Sequence, residues 1–365
     1  MDQTKRIDAA SFPCSGCGGR MEFDPDSQQL ACAQCGRRQV IESPALEAPE
    51  YLYNPSTDEY TAPKWDTMDS LTVRCNGCGA QTVVSAAAVT ARCPFCGSNY
   101  VVNQDSVHVG ILPETIMPFK VSRKRAMELF RKWVKSRFWA PGRFKKSSLS
   151  PQTLNGVYLP FWTFDACLQT SYSGEGGKTY TTTHTRTVNG KVQTYTTTHV
   201  RWYPISGNKE LQFDDEKVCA VRESDDAMLN RLGDFNTKTL NRYHPAYLAG
   251  FFARRYDVGL GEGFGKARPS MEGQMEGAIR NDYSYDQFRN MRYGHNFSNV
   301  RFKHILLPIW ISSYQYKKKV YRFLINGETG RISGKAPVSA VRIALAVLIA
   351  CALALGLFLF FNSLK

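Results

Sequence analysis

Hydrophobic and polar residues follow several different periods along this chain, and each period predicts an element. From Ser122 to about Trp139 the apolar positions Ala126, Phe130, Trp133, Val134 and Phe138 recur every three or four residues. That is the spacing of one helical face, with Ser122 placed to cap the first turn. Val157 to Asp165 (Val-Tyr-Leu-Pro-Phe-Trp-Thr-Phe-Asp) is a continuous apolar run of strand length. Beyond it, threonine-rich segments from Lys178 to Val188 and from Lys191 to Tyr203 flank Asn189-Gly190, a type I′ turn signal that predicts a hairpin. In that register Tyr180 faces His199 and His184 faces Tyr195, so the histidines are not opposite each other and no second metal site is expected there. Helical spacing returns over about 268 to 285, where Met271, Met275, Ala278 and Ile279 share a face weakened by Gly273 and Gly277. Ile305 to Tyr314 then echoes the Leu-Pro-Phe-Trp strand as Leu-Pro-Ile-Trp, with a turn at Asn326-Gly327 to follow. The echo predicts an internal duplication of helix and antiparallel strands.

The last pattern has no period. Ile343 to Phe361 is uninterrupted apolar sequence without a charge, and nineteen helical residues span about 28 Å, close to the hydrocarbon thickness of a bilayer. It predicts a transmembrane helix at 343–361, a C-terminal anchor because only Asn362 to Lys365 follow. Lys317, Lys318, Lys319, Arg322, Arg331, Lys335 and Arg342 precede it, against one lysine after it. The positive-inside rule therefore predicts a single-pass protein of the cell membrane with its bulk in the cytoplasm.

The N-terminal third adds chemistry rather than periodicity. Cys14, Cys17, Cys32 and Cys35, then Cys75, Cys78, Cys93 and Cys96, both read C-x2-C-x14-C-x2-C. Two Cys-x-x-Cys knuckles on neighbouring hairpins close a tetrahedral four-thiolate site, so each set predicts one structural zinc. Gly18, Gly36, Gly79 and Gly97 follow the second cysteine of each pair, where the knuckle turns left-handed. No ligand position is left for water, which points away from hydrolytic zinc. Disulfides or a redox dithiol fit less well, because no export signal precedes the cysteines.

These readings combine into an α+β fold class. Two four-cysteine zinc ribbons (11–42 and 71–102) flank an acidic linker at 43–70, rich in proline and aromatic residues and without a packed element. A duplicated antiparallel α+β domain occupies 111–336, and the transmembrane helix ends the chain. Tyr51, Tyr53, Tyr60 and Trp65 of the linker are placed to dock on a partner or on the neighbouring ribbon.

Charge bears on the choice of partner. Residues 1–110 hold 8 Lys and Arg against 13 Asp and Glu, a balance of −5, leaving +19 for the rest of a chain whose net charge is +14. Each zinc held by four thiolates adds a formal −2 to the acidic end. A ribbon that grips nucleic acid carries a basic face, so nucleic acid is not expected as a partner of these ribbons. The basic residues lie instead at 123–146, where Arg123, Lys124, Arg125, Arg131, Lys132, Lys135 and Arg137 lead into Arg143, Lys145 and Lys146. They suit an anionic lipid surface.

Paired ribbons, Pro118-Phe119, Ala140-Pro141, Tyr158-Leu-Pro-Phe-Trp162, Tyr247-Leu-Ala-Gly250, Leu306-Leu-Pro-Ile-Trp310 and Phe323-Leu-Ile-Asn-Gly-Glu-Thr-Gly330 occur in an order that resembles a family of bacterial membrane-anchored double zinc-ribbon proteins. Members are often labelled primosomal-helicase-like or transcription-factor-IIB-like, and some are encoded beside flotillin-like, TPM-domain and phage-shock proteins. The resemblance covers nearly the whole chain and implies membrane proteins, including those flotillin-like and TPM-domain classes, as partners. It carries no catalytic residues.

The helicase label finds no support in the residues. Ser173-Gly-Glu-Gly-Gly-Lys-Thr179 has Tyr172 where a phosphate loop needs glycine, and Gly259-Leu-Gly-Glu-Gly-Phe-Gly-Lys266 has the wrong spacing; both read as glycine turns. Cys167 and Cys219 read as small packing residues, and Asp214, Asp215, Glu216, Asp225 and Asp226 as a solvated face. His108, His244, His295 and His304 stand without ligand or triad spacing. The expectation is a non-enzymatic, membrane-anchored adaptor or scaffold of a membrane-stress complex. A membrane-tethered nucleic-acid-binding protein using residues 120–146 is the alternative, and an enzyme in the duplicated domain a weaker one.

Overall fold

A computed structural model of the chain describes residues 12–42, 49–62, 64–65, 71–74, 81–84, 110–111, 113–142, 144, 154–188, 191–222, 225–254, 256–316 and 319–363. The strands are β1 (Met21–Asp24), β2 (Gln29–Cys32), β3 (Arg38–Gln39), β4 (Tyr51–Asn54), β5 (Glu59–Tyr60), β6 (Lys64–Trp65), β7 (Leu71–Arg74), β8 (Gln81–Val84), β9 (Gly110–Ile111) and β10 (Thr115–Ile116). They continue as β11 (Leu154–Val188), β12 (Lys191–Cys219), β13 (Asn241–Arg242), β14 (Phe252–Ala253), β15 (Gln287–Tyr316), β16 (Lys319–Asn326) and β17 (Ile332–Gly334). The α-helices with both ends among the described residues are α1 (Arg123–Ser136), α2 (Asp226–Asn230), α3 (Leu260–Asn281) and α4 (Ala340–Ser363).

The architecture is dominated by one twelve-stranded sheet, which corrects the expected α+β class. Its backbone is the central antiparallel pair β11 and β15, joined by β12 on one side and β16 on another stretch. Sequence patterning understated these strands because their outer halves are threonine, glycine and tyrosine rather than apolar runs.

Side chains alternate across the central pair. Val157, Leu159, Phe161, Ile305, Leu307 and Ile309 pack on one face with Met228, Leu229, Leu232 and Phe235 from the α2 region. On the other face lie Tyr158 and Trp310 with α1, and Trp162, Phe164 and Phe302 with α3.

Backbone bonding around the pair occurs twice. Leu159 lies opposite Leu307, which sets Leu-Pro-Phe-Trp and Leu-Pro-Ile-Trp side by side in opposite directions. Met117 N donates to Leu306 O and Arg254 N to Tyr158 O, both at 2.9 Å. Trp310 Nε1 donates to Val121 O just ahead of α1, and Trp162 Nε1 donates to Val258 O just ahead of α3, again both at 2.9 Å. Phe119 lies on Trp310 and Tyr256 on Trp162 with ring centroids 4.9 Å apart in each case. Each indole thus holds the start of one helix on the sheet.

Several local expectations change. Helix α1 ends at Ser136, so Phe138 and Trp139 lie beyond it and are exposed, and Ser122 occupies the N-cap without a side-chain cap bond. Helix α3 begins at Leu260, taking the Gly-rich Gly259 to Lys266 segment into its N-cap and first turns, because Gly263 lets the helix approach Trp162, whose Cδ1 would stand 2.7 Å from a Cβ there. Ser173 to Thr179 is strand rather than turn. Its glycines lie under large neighbours: Met291 lies over Gly174, and the Tyr285 ring occupies the space a side chain at Gly176 would fill.

The linker also corrects an expectation. Strand β4 pairs with β15 at Arg301–Leu52 and Phe302–Tyr51, and β5 pairs with β4. Tyr53 is buried against Phe264 and Phe302, and Tyr51 and Tyr60 also meet Phe302. The tyrosines dock on this chain's own sheet.

Among the described residues no helix is long and apolar enough to cross a membrane. This overturns the expected transmembrane helix at 343–361, and with it the tail-anchored topology, the cell-membrane location and the bilayer contact derived from it.

Candidate metal centre

Strands β1, β2 and β3 form a small antiparallel sheet, and the two knuckles of the first cysteine set hang from it. Gly18 N donates to Cys14 O at 2.8 Å and Gly36 N to Cys32 O at 2.9 Å, so both knuckles close identically. Each bond demands a left-handed residue, and Gly18 and Gly36 have φ of 72° and 74°. Arg37 Nη1 donates to Ser15 Oγ at 3.0 Å and ties one knuckle to the other.

Cys14, Cys17, Cys32 and Cys35 thereby converge, with all four sulfurs within 4.8 Å of one another. Cys14 Sγ lies 3.5 Å from Cys35 Sγ, and Cys17 Sγ 3.5 Å from Cys32 Sγ. A tetrahedral ion with metal–sulfur bonds of about 2.3 Å spaces its sulfurs about 3.8 Å apart, and disulfides require about 2.05 Å. The four cysteines lie close enough to hold a metal ion. Cys14 and Cys32 are buried, and Cys17 and Cys35 face outward.

The electrostatics match a cation site. Backbone N–H groups of Gly16 and Cys17 pull the Cys14 thiol down to about 6, and those of Cys35 and Gln34 lower Cys32. Cys17, although the Gly19 N–H favours its thiolate, is pushed up to about 12 by the sulfurs of Cys35 and Cys32. The thiolates of Cys14 and Cys32 are favoured by backbone N–H groups while that of Cys17 is opposed by neighbouring sulfurs, a conflict that a bound cation removes.

The module does not stand apart from the main sheet. Met21, Phe23, Leu30, Cys14 and Cys32 share one core with Phe119, Tyr158 and Tyr247. Phe23 N donates to Ala249 O at 2.9 Å, Gln28 Nε2 donates to Phe119 O at 2.8 Å, and Gly250, at φ 87°, lets the chain pass Glu22. The second set, Cys75, Cys78, Cys93 and Cys96, lies outside the described residues. Strands β7 and β8 flanking its first knuckle pair with each other, and β8 pairs with β14 at Val83–Ala253.

A second cluster was not read from the sequence. Strand β11 bulges against both neighbours around Asp165. There Lys303 Nζ lies 2.9 Å from Asp215, 3.1 Å from Glu50 and 4.0 Å from Asp165, while Asp215 N donates to Asp165 Oδ1 at 2.6 Å. Asp165, Asp214 and Asp215 are also close enough to share a cation, but the Lys303 ammonium already supplies the positive charge. Burial pushes Asp165 up to about 6; Asp215 is half-buried as well, yet its bond to Lys303 holds it below the usual carboxylate range. Asp215 is therefore part of a buried ion cluster rather than a solvated face.

The other candidates serve structure. Asp225 accepts from Met228 N at 3.0 Å and caps α2, and His244 Nδ1 accepts from Ala246 N at 3.2 Å. His304 is buried with Nδ1 2.9 Å from Ile111 O, and His295 Nδ1 is 2.9 Å from Thr170 Oγ1. Cys167 and Cys219 lie in β11 and β12, and burial raises the Cys167 thiol. His108 lies outside the described residues.

No protein-family model and no solved structure matches the chain. The chain is similar to the uncharacterized protein YdjG of Bacillus subtilis (strain 168), 27% identical over 335 residues that cover 92% of each chain. The similarity therefore runs over most of the chain.

Proposed function

We propose that this chain is a non-enzymatic adaptor in which zinc held by Cys14, Cys17, Cys32 and Cys35 fixes a zinc-ribbon module onto a rigid sheet, with Cys75, Cys78, Cys93 and Cys96 holding a second zinc. The closed four-sulfur cluster carries this reading. All its ligand positions are thiols, so the ion keeps no open site for substrate and acts by fixing structure. Lys303, shared among Glu50, Asp165 and Asp215, is a structural ion cluster and offers no nucleophile poised beside a base. The family resemblance points to partners of the flotillin-like or TPM-domain kind.

The test has two parts. Elemental analysis of carefully prepared protein is expected to give two zinc ions per chain; iron, or fewer than two equivalents, removes the metal assignment. Crosslinking in the native cell followed by mass spectrometry is expected to recover one recurrent protein partner, with crosslinks from residues 12–62. Recovery of the chain alone in repeated preparations removes the adaptor assignment.

A further inference from the structure

Strand β15 pairs with β11 only as far as Gln287 opposite Gly177. From Lys178 onward β11 and β12 continue as a two-stranded arm to Val188 opposite Lys191. Eleven residues per strand extend about 36 Å. Bare two-stranded ribbons of this kind are marginal in water, and the described side chains of the arm from Lys178 to Thr198 are mostly exposed. Its two faces differ in chemistry.

One face is threonine and valine: Thr179 with Val200, Thr181 with Thr198, Thr183 with Thr196, Thr185 with Thr194. The other collects rings and cations. Tyr180 stacks on His199 and His184 on Tyr195, in each case with centroids 5.3 Å apart. Thr182 opposite Thr197 lies between these ring pairs, and Lys178 opposite Arg201 and Arg186 opposite Gln193 lie on either side of them. Toward the body Tyr203 stacks on Tyr285 at 5.9 Å, so ring pairs recur every four residues, about 13 Å. Thr182 Oγ1 lies 3.1 Å from His184 Nε2 and 3.0 Å from His199 Nε2. One hydroxyl donates to one imidazole and accepts from the other, which holds both rings in fixed positions. No Asp or Glu occurs from Lys178 to Tyr203; Asp286, at the base, is engaged by Thr179 N at 2.7 Å.

We propose that this ring-and-cation face of the arm binds single-stranded nucleic acid, with Tyr180, Tyr195 and the two histidines stacking on bases and Lys178, Arg186 and Arg201 meeting phosphates. Charge alone would suit any anionic partner, and the rings decide among them. A lipid surface or an acidic peptide meets the cations but offers no succession of flat rings to stack on, whereas an extended strand of unpaired bases uses both. A duplex keeps its base faces stacked inside and gains nothing from the rings. This inference goes beyond the adaptor reading and does not depend on the zinc.

Full-length zinc-loaded protein titrated into labelled oligothymidylate or oligouridylate about 15 nucleotides long, followed by fluorescence anisotropy, tests it. The single strand is expected to bind at least about tenfold more tightly than a duplex of the same length. Tyr180→Ala with Tyr195→Ala weakens binding at least about tenfold, and Tyr180→Phe with Tyr195→Phe retains it. Lys178→Gln, Arg186→Gln and Arg201→Gln together flatten the plot of log affinity against log salt by about 2, at roughly 0.7 per lost contact. Melting temperatures equal to the parent's show that the variants are folded. Equal affinity for duplex, unchanged binding by the Tyr→Ala pair, or binding to phosphatidylglycerol vesicles without binding to oligonucleotide overturns the proposal. Failure of the adaptor reading, by contrast, would show in the crosslinked partners and leave these affinities intact.

Discussion

Asp165 illustrates how one residue can store a cost inside a sheet. Its carboxyl is pushed up to about 6 by burial, above the value near 3.9 of an unfolded aspartate. A group raised in this way binds its proton more readily folded than unfolded. The stability cost of its charge is absent below about pH 4, grows between about 4 and 6, and is complete above. Asp165→Asn keeps an oxygen for Asp215 N and is expected to raise stability on the order of 1 kcal/mol at pH 8, with the gain gone at pH 4. Urea unfolding at the two pH values measures it, and a destabilised variant at pH 8 would show that Lys303 needs the third carboxylate. Lys303→Met behaves oppositely: Asp215 loses its counterion while Glu50 keeps Arg301 at 3.7 Å, and a loss of about 3 kcal/mol is expected in the same assay. At the cysteines, Cys32→Ser is expected to remove one equivalent of bound metal, since a hydroxyl is a poor replacement for a buried thiolate.

At the scale of elements, the linker hairpin shows what sequence patterning overlooks. Tyr51 to Tyr60 has no helical or strand period longer than a few residues, yet three tyrosines close around Phe302 and Phe264. Tyr53→Ala is expected to cost about 3 kcal/mol. Limited proteolysis should then cut at 49–62 in the variant and not in the parent, and equal resistance would show that pairing with β15 alone holds the hairpin. The two indole bonds make a matched pair of tests. Trp310→Phe and Trp162→Phe each remove one bond to the carbonyl ahead of a helix and leave a buried carbonyl without its donor, for about 1–3 kcal/mol apiece. Hydrogen exchange is expected to rise at the start of α1 for the first and at the start of α3 for the second.

For the whole molecule, the cysteine module shares its core with Phe119 and Tyr247, so metal loss is not confined to residues 12–42. Chelation is expected to lower the melting temperature of the entire sheet and to expose 247–251 to hydrogen exchange, because Phe23 and Glu22 leave that segment together. An unchanged main transition after complete metal removal would show instead two independent folding units. The double use of the central pair has a related consequence. Both helices sit on one face, over Trp162 and Trp310, and among the described residues the α2 region packs on the other, so the middle of the sheet is buried on both faces. Beyond the bulge at Asp165 the strands run on with α3 over one face, and past Gly177 they run on alone.

The sequence by itself determined what short-range chemistry dictates. Cys-x-x-Cys followed by glycine sets the knuckle, and Asn189-Gly190 sets a register in which Tyr180 meets His199 and His184 meets Tyr195. These depend on residues a few positions apart, whose geometry the chain cannot evade. Hydropathy likewise located α4 as a helix, but its inferred passage through a membrane did not survive among the described residues. The tertiary structure decided whatever depends on a distant neighbour. Gly263 enters a helix because Trp162 needs the space, and Ser173 to Thr179 is strand because Met291 and Tyr285 cross over its glycines. Lys303 gathers Glu50, Asp165 and Asp215 from positions up to 253 residues away, and a buried charge is tolerated only where such partners meet. No local period encodes that meeting, since burial is a property of the packed sheet and not of any segment within it.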